Sequence, residues 1–293
     1  MSYLSNDLLL SLNPGKFLGG LDMPPYAWQE EALDPSYKRL LVLAARQSGK
    51  STIASGRGHH TGRFFDNSLS LIVSPSEQQS KETMKKVDEF ILKDDEADLA
   101  GNASFEKKYG NGSRVLALPG TERSVRGYSA PKLIIMDEAS RIEDGTYKAV
   151  RPMLTGNPEA VLIAVTTPYG KMGWFYEEWT KSPRWHKIMV KPAFILDESR
   201  TKVIPDIPEA EFKERMAHHG VSAYYSPRHT QDFLQEELET MDWWWWNQEY
   251  GCEFLDEGFS PFDMNAVRDS FDDVDTMFGM DELVEDEEVF EFF

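Results

Sequence analysis

The stretch Ala44-Ala45-Arg46-Gln47-Ser48-Gly49-Lys50-Ser51 limits what this chain can fold into more than any other. A short apolar run, Arg39 to Ala45, precedes it and reads as a buried strand. A helix-compatible stretch, Ser51 to Gly58, follows it. Strand, glycine-containing turn and helix in that order match the phosphate-loop pattern G-x-x-x-x-G-K-[ST], with Ala44 in place of the first glycine. Gly49 lets the backbone approach phosphate oxygens, and the successive N–H groups at the helix start form a positive nest. Lys50 is placed to reach the β- and γ-phosphates, and Ser51 to offer its hydroxyl to Mg²⁺. The contacts expected with ATP are therefore Ala45, Arg46, Gln47, Ser48, Gly49, Lys50, Ser51 and Thr52.

Three further apolar runs share the character of the first. Leu69 to Val73 ends in Ser74-Pro75-Ser76, Lys132 to Met136 ends in Asp137-Glu138, and Ala160 to Val165 ends in Thr166-Thr167-Pro168. Continuous apolar strands separated by helical segments, such as Glu77 to Leu92, predict a mainly parallel sheet buried on both faces. Functional residues then gather at the carboxyl ends of the strands. Asn111-Gly112 predicts a hairpin between Phe105–Tyr109 and Arg114–Leu118. The expected fold is α/β: a P-loop NTPase whose mainly parallel sheet is flanked by helices, with a smaller, mostly helical subdomain after about Lys191.

Asp137 and Glu138 close the third run. Two acids at a buried strand end are costly unless a cation sits there, which a metal and its nucleotide supply. Asp137 is placed to hold Mg²⁺ near the Ser51 hydroxyl, and Glu138 to polarise the attacking water.

The 293 residues are enough for a proper core without disulfides. The single cysteine, Cys252, excludes an intrachain disulfide, and no run is long enough to span a membrane. The net charge of −19 argues against a surface that binds nucleic acid all over. It is uneven, however: from Asp263 to Phe293 twelve acids face one arginine, a net of −11. Basic residues collect at Lys81, Lys85 and Lys86, and at Lys107, Lys108, Arg114, Arg123 and Arg126. These are either local duplex-holding patches or solvated faces. For the run Trp243 to Trp246, core or interdomain packing is favoured over a base-stacking platform.

Five segments carry a family resemblance when taken in order: Arg46 to Thr52, Ile72 to Ser76, Arg126-Gly127-Tyr128, Ile135 to Ala139, and Thr166 to Gly170. Together they resemble the ATPase domain of large terminase subunits from tailed bacteriophages, over roughly Pro24 to Leu255. The resemblance implies an ATP-hydrolysing, Mg²⁺-dependent motor that translocates double-stranded DNA into a procapsid. It implies a homo-oligomeric ring docked on the portal protein in the host cytoplasm, working with a small terminase subunit. Gln29 is similar to the family's adenine-reading glutamine, although an ordinary helix glutamine would look the same. Arg46 resembles the arginine inside the terminase phosphate loop, and Arg126 an arginine offered to a neighbouring subunit's ATP. The sequence leaves open which of the two completes the site, and Arg123 lies nearby. Thr167, with Thr166, resembles the motif that couples phosphate loss to a lid, or else a strand-capping pair. The region after Lys191 resembles that lid.

The resulting organisation is residues 1–190 as ATPase core with the adenine-contacting segment, 191–258 as lid, and 259–293 as an acidic tail expected to be disordered alone. The family usually continues into a nuclease, for which the residues after Phe254 are too few. No nuclease activity is expected from this chain, and a separate nuclease polypeptide is one way to supply it. Two other readings remain: a helicase-like DNA translocase, and a nucleotide-gated assembly protein without turnover.

Overall fold

The four apolar runs become neighbours at the centre of a single sheet. In the computed structural model, which describes residues 3–256, the chain begins with helices α1 (Tyr3–Leu12), α2 (Pro14–Gly20) and α3 (Ala27–Leu33). There follow β1 (Arg39–Ala44), α4 (Lys50–Phe64), β2 (Leu69–Ser74) and α5 (Glu77–Lys93). Three strands come next, β3 (Leu99–Ala103), β4 (Glu106–Tyr109) and β5 (Arg114–Pro119), and then α6 (Glu122–Val125). The chain continues through β6 (Leu133–Asp137), α7 (Asp144–Val150), β7 (Val161–Thr166), α8 (Gly173–Lys181) and β8 (His186–Lys191). It then forms β9 (Phe194–Leu196), β10 (Val203–Pro205), α9 (Glu209–Ala217), β11 (Val221–Tyr225), α10 (Gln231–Thr240) and α11 (Trp243–Glu249).

The main sheet has nine strands in the order β11-β8-β1-β7-β6-β2-β5-β4-β3. Pairing is parallel from β11 through β5 and antiparallel from β5 through β4 to β3. The central strands are apolar on both faces because helices cover both. Leu41, Leu43, Ile134, Met136 and Leu162 face one side, against Val150, Met153, Trp174 and Phe175. Leu40, Val42, Ile135, Ile163 and Val165 face the other, against Phe17, Leu18, Trp28, Leu33, Ile53 and Phe90. The segment before β1 therefore supplies part of the core through Phe17, Leu18, Trp28 and Leu33.

Helix α4 carries few large side chains because it is enclosed on nearly every side, and Ala54, Ser55, Gly56, Gly58 and Gly62 are all buried. Ser76 caps α5, its side chain accepting from the Gln79 N–H. The buried stripe of α5 is Ser80, Thr83, Met84, Val87 and Phe90, and Ser55 Oγ donates to the Thr83 carbonyl at 3.2 Å. The expected hairpin forms, with Gly112 at φ +82° donating its N–H to the Tyr109 carbonyl.

The segment after Lys191 is less helical than expected. It contains the β9–β10 hairpin, and β11 pairs with β8 as the edge of the main sheet. Both β8 and β11 mix polar with apolar residues, so neither presents the continuous run that marked the other strands. The chain as far as Phe254 is one compact unit with no division at Lys191. Helix α11 buries Trp246, whose Nε1 donates to the Leu234 carbonyl, while Trp243 packs on the same cluster and Trp245 stays exposed. The expectations for residues 259–293 lie outside the described residues.

Gly62 faces the Tyr109 ring so closely that a Cβ there would lie 2.3 Å from a ring carbon. The ring has no room to move, because Tyr109 is buried and its hydroxyl shares a 2.9 Å hydrogen bond with His59 Nδ1. His59 is held in turn by Asp94 at 3.1 Å. Gly62→Ala is therefore expected to lower stability by about 1–3 kcal/mol, despite alanine's better helix propensity. Chemical denaturation of the two proteins checks this.

Candidate active site

Strand order decides which side chains meet. β7 lies between β1 and β6, with Leu43 opposite Thr166 and Asp137 opposite Val165. The phosphate loop, the acidic pair and the threonine pair therefore leave the sheet at one level, side by side.

The loop bends where the sequence permits it. Gly49 sits at φ +98° and caps α4 from the left-handed region, which glycine adopts without cost. Gln47 adopts φ +60° without that advantage. The Ser48 hydroxyl donates to the Ala45 carbonyl at 2.7 Å. Lys50 is buried, and its Nζ donates to the Ala44 and Ala45 carbonyls at 3.2 Å each, with a third N–H left over. Arg46, Gln47, Gly49, Lys50, Ser51 and Thr52 line one cleft of about 560 Å³, together with Lys86, Glu138 and Arg228.

At the end of β6, Asp137 accepts from the Thr83 hydroxyl at 3.2 Å and from the Glu138 N–H at 3.1 Å. Glu138 turns the chain at φ 51°, a left-handed conformation that costs a non-glycine residue on the order of 1 kcal/mol and tends to be kept at functional sites. Its carboxylate accepts from Thr167 Oγ1 at 3.2 Å. Thr166 Oγ1 and Ser140 Oγ share a 2.7 Å hydrogen bond, and Ser140 Oγ also donates to the Thr167 carbonyl. The threonine pair is thus wired to the acidic turn.

The other sequence candidates fall in different places. Gln29 is buried, with Nε2 donating to the Gly49 carbonyl at 3.1 Å and Oε1 accepting from the Tyr26 N–H at 2.9 Å. It clamps the phosphate loop to α3, keeping one N–H and one lone pair for other partners. Arg46 is exposed toward the cleft, and its guanidinium lies 3.8 Å from Glu249. Arg126 is not in the cleft. It follows α6, 69% exposed, in an ion pair with Glu122. Of the basic residues read as possible duplex contacts, Lys107 is buried on Asp88, Asn102 and the Ala103 carbonyl, and Lys86 lines the cleft. Lys81 and Lys85 pair with Glu77 and Glu82, and Lys108 and Arg114 with Glu106.

Sequence reasoning missed the residues that hold the loop from behind. The Arg46 N–H donates to the Glu249 carbonyl at 2.8 Å. His229 Nε2 donates to the Arg46 carbonyl at 2.8 Å, and Arg228 Nη1 to the Gln47 carbonyl at 3.2 Å. The Glu249 carboxylate also lies 3.6 Å from Arg141. All three residues come from the segment after β11, more than 180 positions from the loop in the case of Arg228. The pairing of β11 with β8 carries Arg228 and His229, three and four residues beyond it, toward the loop.

A divalent cation suits the donors. The Ser51 hydroxyl and Asp137 carboxylate are hard oxygen ligands of the kind Mg²⁺ accepts alongside phosphate and water. Burial, followed by the neighbouring Glu138 carboxylate, pushes the Asp137 carboxyl up to about 6, against the opposing pull of Lys50, the Thr83 hydroxyl and Lys86. A cation there would offset that penalty.

Residues 41–269 match the family model described as terminase large subunit, T4likevirus-type, N-terminal. The large terminase ATPase domain of Thermus phage P74-26 superposes with a TM-score of 0.58 at 18% identity, over 82% of this chain and 98% of that one. The large terminase of a thermophilic bacteriophage, solved with ADP and with ATP-γ-S, gives TM-scores of 0.53 and 0.51 at 8% identity. Those superpositions cover 82% of this chain and 53% and 52% of those, so this chain spans about half their length. The structural likenesses establish a shared fold. No curated protein matches by sequence.

The raised Asp137 carboxyl has a consequence for stability. From its ordinary 3.8 up to about 6, the folded chain holds a proton that the unfolded chain releases, so stability falls as pH rises through that window. Above it the ionised carboxylate remains a cost. Asp137→Asn is therefore expected to stabilise the protein without nucleotide or metal at pH 7.5, by on the order of 2 kcal/mol. The gain should shrink toward pH 4, and thermal denaturation at the two pH values checks it.

Proposed function

Because the chain belongs to the large terminase subunits of the T4likevirus-type N-terminal family, we propose that it hydrolyses ATP at the strand ends of its sheet and uses the energy to drive double-stranded DNA into a procapsid. The observation that carries this reading is the Thr167–Glu138 contact. It joins the turn that would align water to the strand end lying between that turn and the phosphate loop.

In this scheme the β- and γ-phosphates of ATP lie against the N–H groups of Gly49 to Thr52, with Lys50 shifting its ammonium from the strand-end carbonyls onto phosphate oxygens. With Mg²⁺ bound at the Ser51 hydroxyl and Asp137, phosphate charge is offset as the bond breaks. Glu138 orients the attacking water and takes its proton. A new oxygen–phosphorus bond forms at the γ-phosphate, the bond to the β-phosphate oxygen breaks, and ADP and phosphate leave. Loss of the γ-phosphate alters the Thr167–Glu138 contact. Through the hydrogen bonds of Arg228, His229 and Glu249 to the loop, the segment after Lys191 can move as the lid. Gln29 holds the loop and meets the adenine edge with its remaining hydrogen-bonding positions.

The exposure of Arg126, away from its own chain's cleft, supports action on a neighbour's nucleotide in a ring of identical chains. Arg46, already lining the cleft, is the cation available in cis. The portal and a small terminase subunit are the partners this role calls for.

Glu138→Gln is expected to lower ATP turnover roughly 10²–10⁴-fold while leaving nucleotide binding within a fewfold of wild type. Steady-state phosphate release, with binding measured alongside, checks this. Loss of binding instead would assign Glu138 to the fold of the loop.

Arg126→Ala is expected to be nearly inactive, by roughly 10³–10⁵-fold. Mixing it with Glu138→Gln should restore part of the activity, since a mixed interface has one intact cleft and one intact arginine. Turnover retained by Arg126→Ala would make Arg46 the better candidate, and loss of turnover that mixing does not restore would rule out action of Arg126 on a neighbour's nucleotide.

A further inference from the structure

Gln29 engages both ends of its amide within the protein, so the base end of the nucleotide needs more than this one residue to hold it. Two side chains flank the space beside it. Tyr26, at the start of α3, exposes 38% of its surface. Arg228 places its guanidinium carbon over the Tyr26 ring, 6.0 Å from the centroid. Flat groups in contact stack about 3.5 Å apart, so a planar ring between two others needs roughly 7 Å. The Tyr26–Arg228 spacing is too wide for direct stacking and within about 1 Å of admitting one aromatic base.

Arg228 is held in that position. Nη1 donates to the Gln47 carbonyl, and the backbone is fixed one residue on, where His229 donates to the Arg46 carbonyl. Among the described residues Arg228 has no carboxylate partner, whereas Arg46, Arg126 and Arg141 each have one. A guanidinium with one of its five N–H groups engaged and both faces unpaired by charge is suited to stacking on a base. A Cβ at Gly49 would lie 2.9 Å from Gln29 Nε2 and 3.6 Å from Arg228 Nη1, so both side chains border the loop at the same point.

We propose that Tyr26 and Arg228 form a clamp for the purine ring of the nucleotide, which stacks between the phenol and the guanidinium with its edge toward Gln29. The clamp rests on the nucleotide-site reading above. It assigns to the segment after β11 a contact with the base, so that nucleotide binding itself draws this segment onto α3.

The test separates base from phosphate by comparing the affinity of the full chain for ATP with that for inorganic triphosphate, each with Mg²⁺. Wild type should prefer ATP. Tyr26→Leu, which keeps the backbone N–H that Gln29 accepts from, should weaken ATP binding roughly tenfold and leave triphosphate binding unchanged. Arg228→Lys keeps the charge and a donor for the Gln47 carbonyl but lacks the plane, so it should resemble Tyr26→Leu. Equal weakening of ATP and triphosphate would make Arg228 a phosphate ligand and overturn the clamp, as would no change in either. A wild-type chain that binds neither ligand would overturn the site reading itself, which is a separate failure.

Discussion

The parallel register of β1, β7 and β6 is the constraint on which the rest of the site depends. With Leu43 opposite Thr166 and Asp137 opposite Val165, three strands from distant parts of the chain end level with one another. Shifting any of them by one residue would turn its core side chains to the opposite face. The faces are filled by different helices, so such a slip would empty one packed layer and overfill the other. Packing therefore fixes the height at which phosphate loop, acidic turn and threonine pair emerge, and the chemistry inherits that accuracy.

The site also works against the stability of the fold that builds it. A buried Asp137, a left-handed Glu138 and a lysine folded onto carbonyl oxygens are each unfavourable arrangements for an isolated domain. Each becomes reasonable with phosphate and a cation present. Arg228 and His229 donate to the Gln47 and Arg46 carbonyls and the Glu249 carbonyl accepts the Arg46 N–H, so the loop is held in shape from behind. The segment after β11 is thus both a support for the loop and the part best placed to respond when its contents change.

Much of this was legible in the sequence, and what was not has identifiable causes. The four central strands announce themselves as continuous apolar runs because both of their faces are covered. Asn111-Gly112 announces the hairpin because its turn needs positive φ. Strands β8 and β11 were not marked, because β11 is the sheet edge, β8 lies next to it, and with Lys187, Ser222 and Tyr224 neither forms a continuous apolar run. The place of Arg228 beside the phosphate loop was hidden for the same reason: without β11 in the sheet, it is one arginine in a polar loop. Lys86 and Lys107 show the limit of counting charges. Both belonged to basic clusters, yet one turns into the cleft and the other is neutralised inside the protein by Asp88. Arg126 could be named but not placed, because its partner, on the present account, is another copy of the chain.

The concentration dependence of turnover tests the motor reading most directly. Specific ATPase activity can be measured with Mg²⁺ and duplex DNA over a wide range of chain concentration. A site completed by a neighbour's arginine predicts activity per chain that rises with concentration and then levels off as rings fill. Tight ATP binding with no turnover at any concentration would contradict it, and would leave a nucleotide-gated assembly protein in place of a motor.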